Sequence, residues 1–442
     1  MGQRTITGGL NRRGFLKRTA GVAAAAAGFP YIVPGSALGL DGAVAPSNRL
    51  TLGFIGMGKM AQGHLGSFLG DEDVQVVSIC DVERGRRESQ AKMAEERYAK
   101  RHGEPGYKGV DTCGDFRELC ARQDIDAVVI ATPNHWHALA AVEAARSGKD
   151  IYLEKPLART IGEGQAIVME VRQYGRVLQV GSQQRSDTAF RFACELVRNG
   201  RIGNVQRVHV NVGPPPQEGY NLPAEQQPEG LDWDLWLGPA PWRAYNSTVC
   251  PPASFDGWAQ WRDYRDYAGG GMTDFGAHHY DIAQWGLGRD GSAPVEVIPP
   301  EGDATTGLRY VYDDGIEMIH GGGGGQAAVE WIGADGWVRV NRGQYLETNP
   351  GWLQYETFGA NETHLYRSDN HKRDWLDCIK TRRDPICPVE IGHSTAIVCH
   401  IGNIAYWLRR PLKWNPEAQQ FVDDPEANRL LMRSFREPWR LV

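Results

Sequence analysis

Long apolar runs are what this 442-residue chain most plainly lacks. Beyond residue 45 none approaches the roughly 18 to 20 residues that a membrane-spanning helix needs, which argues against a membrane-embedded body. Cysteine is sparse and unpatterned. The eight cysteines, Cys80, Cys113, Cys120, Cys194, Cys250, Cys378, Cys387 and Cys399, form no pair of CxxC units and no metal-ligand spacing with histidine, so no metal site is expected. Buried thiols are the expectation for most of them, and disulfides stay open in an oxidising compartment. Positive charge is not in excess: 48 Lys and Arg stand against 54 Asp and Glu, which argues against nucleic acid as a partner. Disorder is excluded by an apolar content of 41%, and the length leaves room for two domains.

The first 45 residues read as an address. Asn11-Arg12-Arg13-Gly14-Phe15-Leu16-Lys17 precedes an alanine-rich, weakly apolar stretch from Thr19 to Val33, the pattern of a twin-arginine export signal. Ala43-Val44-Ala45 and Ser36-Ala37 are candidate cleavage sites, and no cysteine precedes Cys80 to carry a lipid. This segment holds five cations and one anion, so the chain without it would carry a net charge of −10 rather than −6. A periplasmic location, reached folded through the twin-arginine translocase, is the expectation.

A strand over 49–58 runs into Gly56-Met57-Gly58-Lys59-Met60-Ala61 and then a helical pattern, which is the G-x-G-x-x-A turn of a dinucleotide fold. The first glycine permits the turn, the second admits a pyrophosphate, and the alanine allows close helix packing. A second strand, Val74 to Ile79, ends at Cys80-Asp81, where a ribose-binding acid belongs. Asp81 favours NAD over NADP; Arg84, Arg86 or Arg87 could meet a 2′-phosphate, although a solvated helix face is their expected role. A buried-type strand over 126–132, a helix over 137–147 and a strand at 151–153 complete the alternation of a parallel sheet. Its strand ends place Thr132, Pro133, Asn134 and His137 beside the cofactor, while His135 and His137 taken singly read as capping or exposed residues.

Two further motifs point to a family. Glu154-Lys155-Pro156 lies at a strand end where nicotinamide and substrate would meet, and Gly269-Gly270-Gly271-Met272-Thr273-Asp274-Phe275-Gly276-Ala277-His278-His279-Tyr280-Asp281 follows far downstream. With the opening turn, these resemble the motifs of the glucose-fructose oxidoreductase, inositol dehydrogenase and MocA (Gfo/Idh/MocA) family, in the family's order. The tail segments 233–243, 392–408 and 436–439 resemble its exported branch. Ala268 departs from the family's longer glycine run, and a Trp- and Pro-rich insertion precedes the signature.

The resemblance implies an NAD(P)-dependent sugar or polyol oxidoreductase. It has a Rossmann domain over 46–182, after the signal at 1–45, and an α+β domain with a mostly antiparallel open sheet over 183–442. It further implies that Gly56, Gly58, Lys59, Met60, Asp81, Thr132, Pro133, Asn134, His137, Glu154 and Lys155 hold the cofactor. Lys155, Asp274, His278 and His279 would meet the substrate, Lys155 and His278 sharing its hydroxyl while Asp274 orients the histidine. A homo-oligomer is implied by analogy. On a helix, the i, i+4 spacing of Asp274 and His278 puts both on one face. Hydride removal from a secondary alcohol needs a proton acceptor and donors for the developing alkoxide, and these residues supply both.

In the second half, segments 207–213, 308–320 and 327–340 read as strands, and 370–380 and 393–408 as helices. Gly321 to Gly325 reads as a turn. Trp233, Trp236, Trp242, Trp258 and Trp261 suggest mostly packing, with one or two open to a sugar ring. Nicotinamide pools are cytoplasmic, so an exported enzyme is expected to carry its cofactor tightly bound and recycle it in place. Either a second sugar takes the hydride, or oxidation, elimination and reduction give redox-neutral glycoside cleavage. A non-catalytic sugar-binding protein is the remaining alternative.

Overall fold

The computed structural model describes residues 48–441; the export pattern lies outside the described residues. From Leu50 on, the chain is a single packed unit. Its first half builds a six-stranded, wholly parallel sheet in the order β3-β2-β1-β4-β5-β6. The strands are β1 (Leu50–Ile55), β2 (Val74–Cys80), β3 (Asp111–Cys113), β4 (Ala127–Ile130), β5 (Asp150–Leu153) and β6 (Leu178–Val180). Their apolar runs are continuous because both faces are covered. Along β4, Val128 and Ile130 join one core while Ala127 and Val129 join the other. The order reverses between β1 and β4, which opens a crevice at their carboxyl ends.

The expected strands and helices of this half are present, with two short strands, β3 and β6, beyond the sequence reading. The second half forms a nine-stranded sheet in which, among the described residues, β7 (Val205–Val210) and β10 (Glu317–His320) are the one parallel pair. The remaining pairs are antiparallel, as in β11 (Val329–Gly333) with β12 (Trp337–Asn341). Alternation is clear here: Val208, Val210, Met318, Val329, Trp331, Val338 and Val340 face a core shared with the helices Thr188–Arg198, Gly276–Leu287 and Val389–Leu408. Arg207, Glu317 and Arg339 lie on the other face and pair in ions there. The segments after residue 182 do not all stay with the second sheet. Trp375, Leu376 and Cys378 of the helix His371–Thr381 pack into the core under β1, so the chain returns to brace its own first half.

All eight cysteines are free thiols, seven buried and Cys113 half-buried. Among the described residues no group of His, Cys, Asp and Glu could hold a metal ion, and no helix is long and apolar enough to cross a membrane.

Candidate active site

The crevice is a cleft of about 650 Å³, within the range of small-ligand and cofactor sites. Its floor begins at Gly56, whose φ of +86° and lack of a side chain are both required. A Cβ there would come within 3.0 Å of the Ala131 backbone and of Thr132. Gly58 precedes the helix Lys59–Phe68, which has no side-chain cap, and a Cβ at Gly58 would meet only open space. Unspent N–H groups at a helix N-terminus facing an open cradle fit a pyrophosphate.

Asp81 lines the cleft beside this turn and also builds it, accepting from Met57 N at 2.6 Å and from Glu83 N at 2.8 Å. Burial raises its carboxyl above the ordinary range, against the pull of those two bonds. The arginines behind it depart from the expected solvated face. Arg84 is exposed, but Arg86 reaches across the mouth to donate to Pro251 O at 2.6 Å and Pro252 O at 3.1 Å, and Arg87 donates to Asp81 O at 2.8 Å.

Thr132, Pro133 and Asn134 line the cleft. His137 does not. It is fully buried, with Nδ1 donating to Pro156 O at 2.7 Å and Nε2 lying 3.1 Å from Thr132 O. It therefore ties the loop after β4 to the loop after β5 instead of touching a ligand. His135 is also fully buried, bonded through Nε2 to Trp236 O at 2.9 Å, and burial pushes its pKa down to about 3. The expectation of capping or exposure is corrected for both: each fills a polar joint between segments far apart in sequence.

At the other end of the cleft, Lys155 Nζ donates to Asp274 Oδ1 at 2.6 Å and to Asp274 O at 2.9 Å. Glu154 lies beneath, its Oε1 accepting from His64 Nε2 at 2.8 Å and from Gln183 Nε2 at 3.1 Å. Burial alone would raise its carboxyl, but the bond from His64 and the nearby Lys155 charge outweigh burial and hold it below the usual range. Sequence reasoning missed His64; its spacing from Glu154 carries no signal, and only the packing of the helix Lys59–Phe68 onto the sheet brings them together.

Asp274 and His278 both line the cleft, on the short helix Gly271–Asp274 and the helix Gly276–Leu287 that follows it. Among the described residues, Asp274 makes no hydrogen bond to His278; its carboxylate is turned to Lys155, with Arg262 Nε at 3.7 Å. Burial would raise this carboxyl, yet Lys155 and Arg262 hold it down. Neither ring nitrogen of His278 is hydrogen-bonded in the described protein, and burial, then the Lys155 charge, pushes its pKa well below 6.5. His279 points away, with Nδ1 donating to Asn211 O at 2.5 Å, and does not line the cleft.

The glycine run before Asp274 is explained by a crossing chain: a Cβ on Gly271 would lie 2.2 Å from the Cα of Gly213. Ala268 is buried and belongs to the same apolar cluster as Trp233, Tyr264 and Tyr267. The last acid of the signature, Asp281, is buried and pairs with Arg185 at 2.7 Å, which anchors the turn Gln183–Ser186 against the cleft. Of the tryptophans, Trp233 and Trp236 stack at 4.7 Å; Trp236 and Trp261 are buried, Trp258 is half exposed, and these three line the cleft.

Residues 50–182 match the family described as "Oxidoreductase family, NAD-binding Rossmann fold", and residues 217–441 match "Oxidoreductase family, C-terminal alpha/beta domain". The chain belongs to the Gfo/Idh/MocA oxidoreductase family. NAD(P) is thus the cofactor that the uncapped helix, Gly56, Gly58 and Asp81 would hold. An uncharacterized oxidoreductase of Bacillus subtilis, YrbE, is 28% identical over 189 residues, 43% of this chain and 51% of its own length. An alpha-N-acetylgalactosaminidase of Shewanella oneidensis is 35% identical over 132 residues, 29% of this chain and 28% of its own. The Gfo/Idh/MocA chain thus aligns with about half or less of the length of these curated relatives. An aldose-aldose oxidoreductase of Caulobacter crescentus, solved with glycerol, shares the fold at a TM-score of 0.56 and 19% identity, over 83% of this chain and 99% of its own.

Proposed function

We propose that this protein moves a hydride between tightly held nicotinamide and a secondary hydroxyl of a sugar or cyclitol. The observation that carries the reading is the convergence of Lys155, Asp274 and His278 at one end of a cleft whose other end is the Gly56 turn. Bound NAD supplies the hydride acceptor. The protein supplies the rest. His278, kept neutral by burial and by the Lys155 charge, accepts the hydroxyl proton on its imidazole. Lys155 donates to the oxygen as negative charge develops, and Asp274 fixes the ammonium in place. Glu154 and His64 support the loop that carries Lys155.

Retention of the cofactor is supported by the insertion before the signature, which crosses the mouth. Arg86 grips Pro251 and Pro252, Lys59 pairs with Asp256 at 2.9 Å, and Arg84 N donates to Gly230 O at 3.0 Å. Export by the twin-arginine route, read from the pattern at residues 11–33, is part of the proposal: an enzyme that folds before such transport leaves the cytoplasm with its nucleotide. Assembly as a homo-oligomer is part of the proposal, by analogy with the family. A second reading, redox-neutral glycoside cleavage, is favoured by the 35% identity to an alpha-N-acetylgalactosaminidase.

Denaturing the exported, purified protein and identifying any released nucleotide by mass tests the proposal. Stoichiometric NAD or NADH is expected. An empty protein that also fails to bind added NAD overturns the enzyme reading and leaves a sugar-binding protein. One oxidised and one reduced sugar in the products support hydride transfer, whereas an aglycone released without net redox supports glycoside cleavage.

A further inference from the structure

Three cations from separate parts of the chain line the end of the cleft that holds Asp274 and His278. Lys155 comes from the end of β5, Arg262 from the insertion, and Arg342 from the turn after β12; all three line the cleft with Asp274 and His278. Arg262 lies over two indoles, 4.9 Å from the Trp258 centroid and 4.2 Å from that of Trp261. Arg342 lies over the Phe275 ring at 5.3 Å. In the amide orientation that satisfies both of its ends, Gln184 bridges it to the helix of His278, accepting from Arg342 Nε at 3.1 Å and donating to His278 O at 3.1 Å.

The acids on these walls are already committed. Asp274 takes Lys155, and Glu154 takes His64 and Gln183. Asp187 caps the helix Thr188–Arg198 through Ala189 N at 2.8 Å and accepts from Gln344 at 3.0 Å. Asp263, next to Arg262, is exposed and does not line the cleft.

The two guanidiniums are not committed in this way. Arg262 gives one hydrogen bond, to Ala259 O at 3.1 Å, and approaches Asp274 no closer than 3.7 Å. Arg342 forms no ion pair among the described residues; its side chain meets only Gln184 and Phe275 in hydrogen-bond or ring contact. A guanidinium carries five N–H donors in a planar fork, so most of this donor capacity is unspent. A neutral polyol engages such a fork one hydroxyl at a time, whereas a carboxylate or phosphate accepts two parallel charged bonds. The two indole contacts restrict the Arg262 side chain before any ligand arrives, so less of its freedom is left to lose when an anion docks.

Resting on the oxidoreductase reading above, we propose that the substrate is an anionic sugar. Its carboxylate or phosphate is gripped by Arg262 and Arg342 while a secondary hydroxyl reaches Lys155 and His278.

The test is calorimetric binding to the full-length protein saturated with NAD. Glucuronate, galacturonate and glucose 6-phosphate are compared with glucose and galactose. At least one anionic sugar is expected to bind about tenfold or more tightly than its neutral parent, the worth of a charge-assisted pair. A uronate preference assigns the anion as carboxylate, and a sugar-phosphate preference assigns it as phosphate. In Arg262→Gln and Arg342→Gln the preference should collapse toward unity while NAD affinity stays unchanged, which also shows that the variants fold. Neutral sugars that match or outbind their acids, no sugar binding at all, or a preference that survives both substitutions would overturn the inference. With NAD binding intact, each of those results leaves the oxidoreductase reading standing. A wild-type protein unable to bind NAD brings down that reading instead.

Discussion

The two walls of the cleft are built by different physics. The dinucleotide wall consists of strand ends and one helix start, with Gly56, Gly58 and Asp81 placed by a turn within 26 residues of chain. The opposite wall comes from an insertion with little regular structure, in which Trp233, Trp236, Tyr245, Trp261 and Tyr267 make a small core of their own. It joins the first wall through pairs far apart in the chain, Lys59 with Asp256 and Arg86 with Pro251. Local backbone geometry makes the first wall, whereas contacts between residues far apart in the sequence make the second.

The comparison is broken most severely where the walls meet. Lys155→Ala or His278→Ala should lower turnover at least about a hundredfold with NAD affinity nearly intact, since each removes proton-transfer or alkoxide-stabilising chemistry alone. Steady-state rates together with NADH fluorescence titration check this, and unchanged turnover in both variants would refute the assignment. Damage to the local wall should show the reverse pattern. Gly56→Ala forces a side chain into positive φ, at a cost of about 1 to 2 kcal/mol, and against the Ala131 backbone. NAD affinity should drop about tenfold or more by the same titration.

Acid sharpens the contrast. Burial lowers the pKa of His135 and His137 in the first half, and of His278, His279, His320, His393 and His400 in the second. His371, at the junction, and His279 fall to about 4, and His400 to about 3. Because burial holds the folded pKa of these groups below the ordinary value, the unfolded chain binds their protons first as the pH falls below 6.5. Stability should therefore decline from pH 6.5 toward 4, by up to about 1.4 kcal/mol per pH unit for each such histidine. Hydrogen exchange read by mass spectrometry should show protection lost earlier around the nine-stranded sheet. Uniform loss across both sheets would count against this account. The smallest effect belongs to the crossing insertion: Lys59→Ala with Arg86→Ala should speed NAD release a few-fold, because partly exposed pairs contribute little each. Stopped-flow displacement measures that rate.

Much of the first wall was legible in the sequence. The G-x-G-x-x-A turn, Asp81 and the strand ending before Lys155 are local patterns, and the structure lines one cleft with them. His137 and His279 were legible as polar residues in the right segments, but not as residues turned away from the cleft. Which way a side chain points depends on the carbonyls that packing presents, here those of Pro156, Thr132 and Asn211. Asp274 was legible as a site acid; that it holds Lys155, with no hydrogen bond to His278 among the described residues, depends on how the break at Phe275 sets the two helices. His64, Arg262 and Arg342 carried no motif at all.

The sequence by itself determined the fold class, the dinucleotide turn and the chemical kinds gathered at the site, because hydrophobic period and glycine geometry act over a few residues. Tertiary structure alone decided which cations line the cleft, which histidines are joints and which acids are already spent. Those depend on desolvation and on partners as distant as the 197 residues between Lys59 and Asp256, and no local pattern encodes a contact of that range.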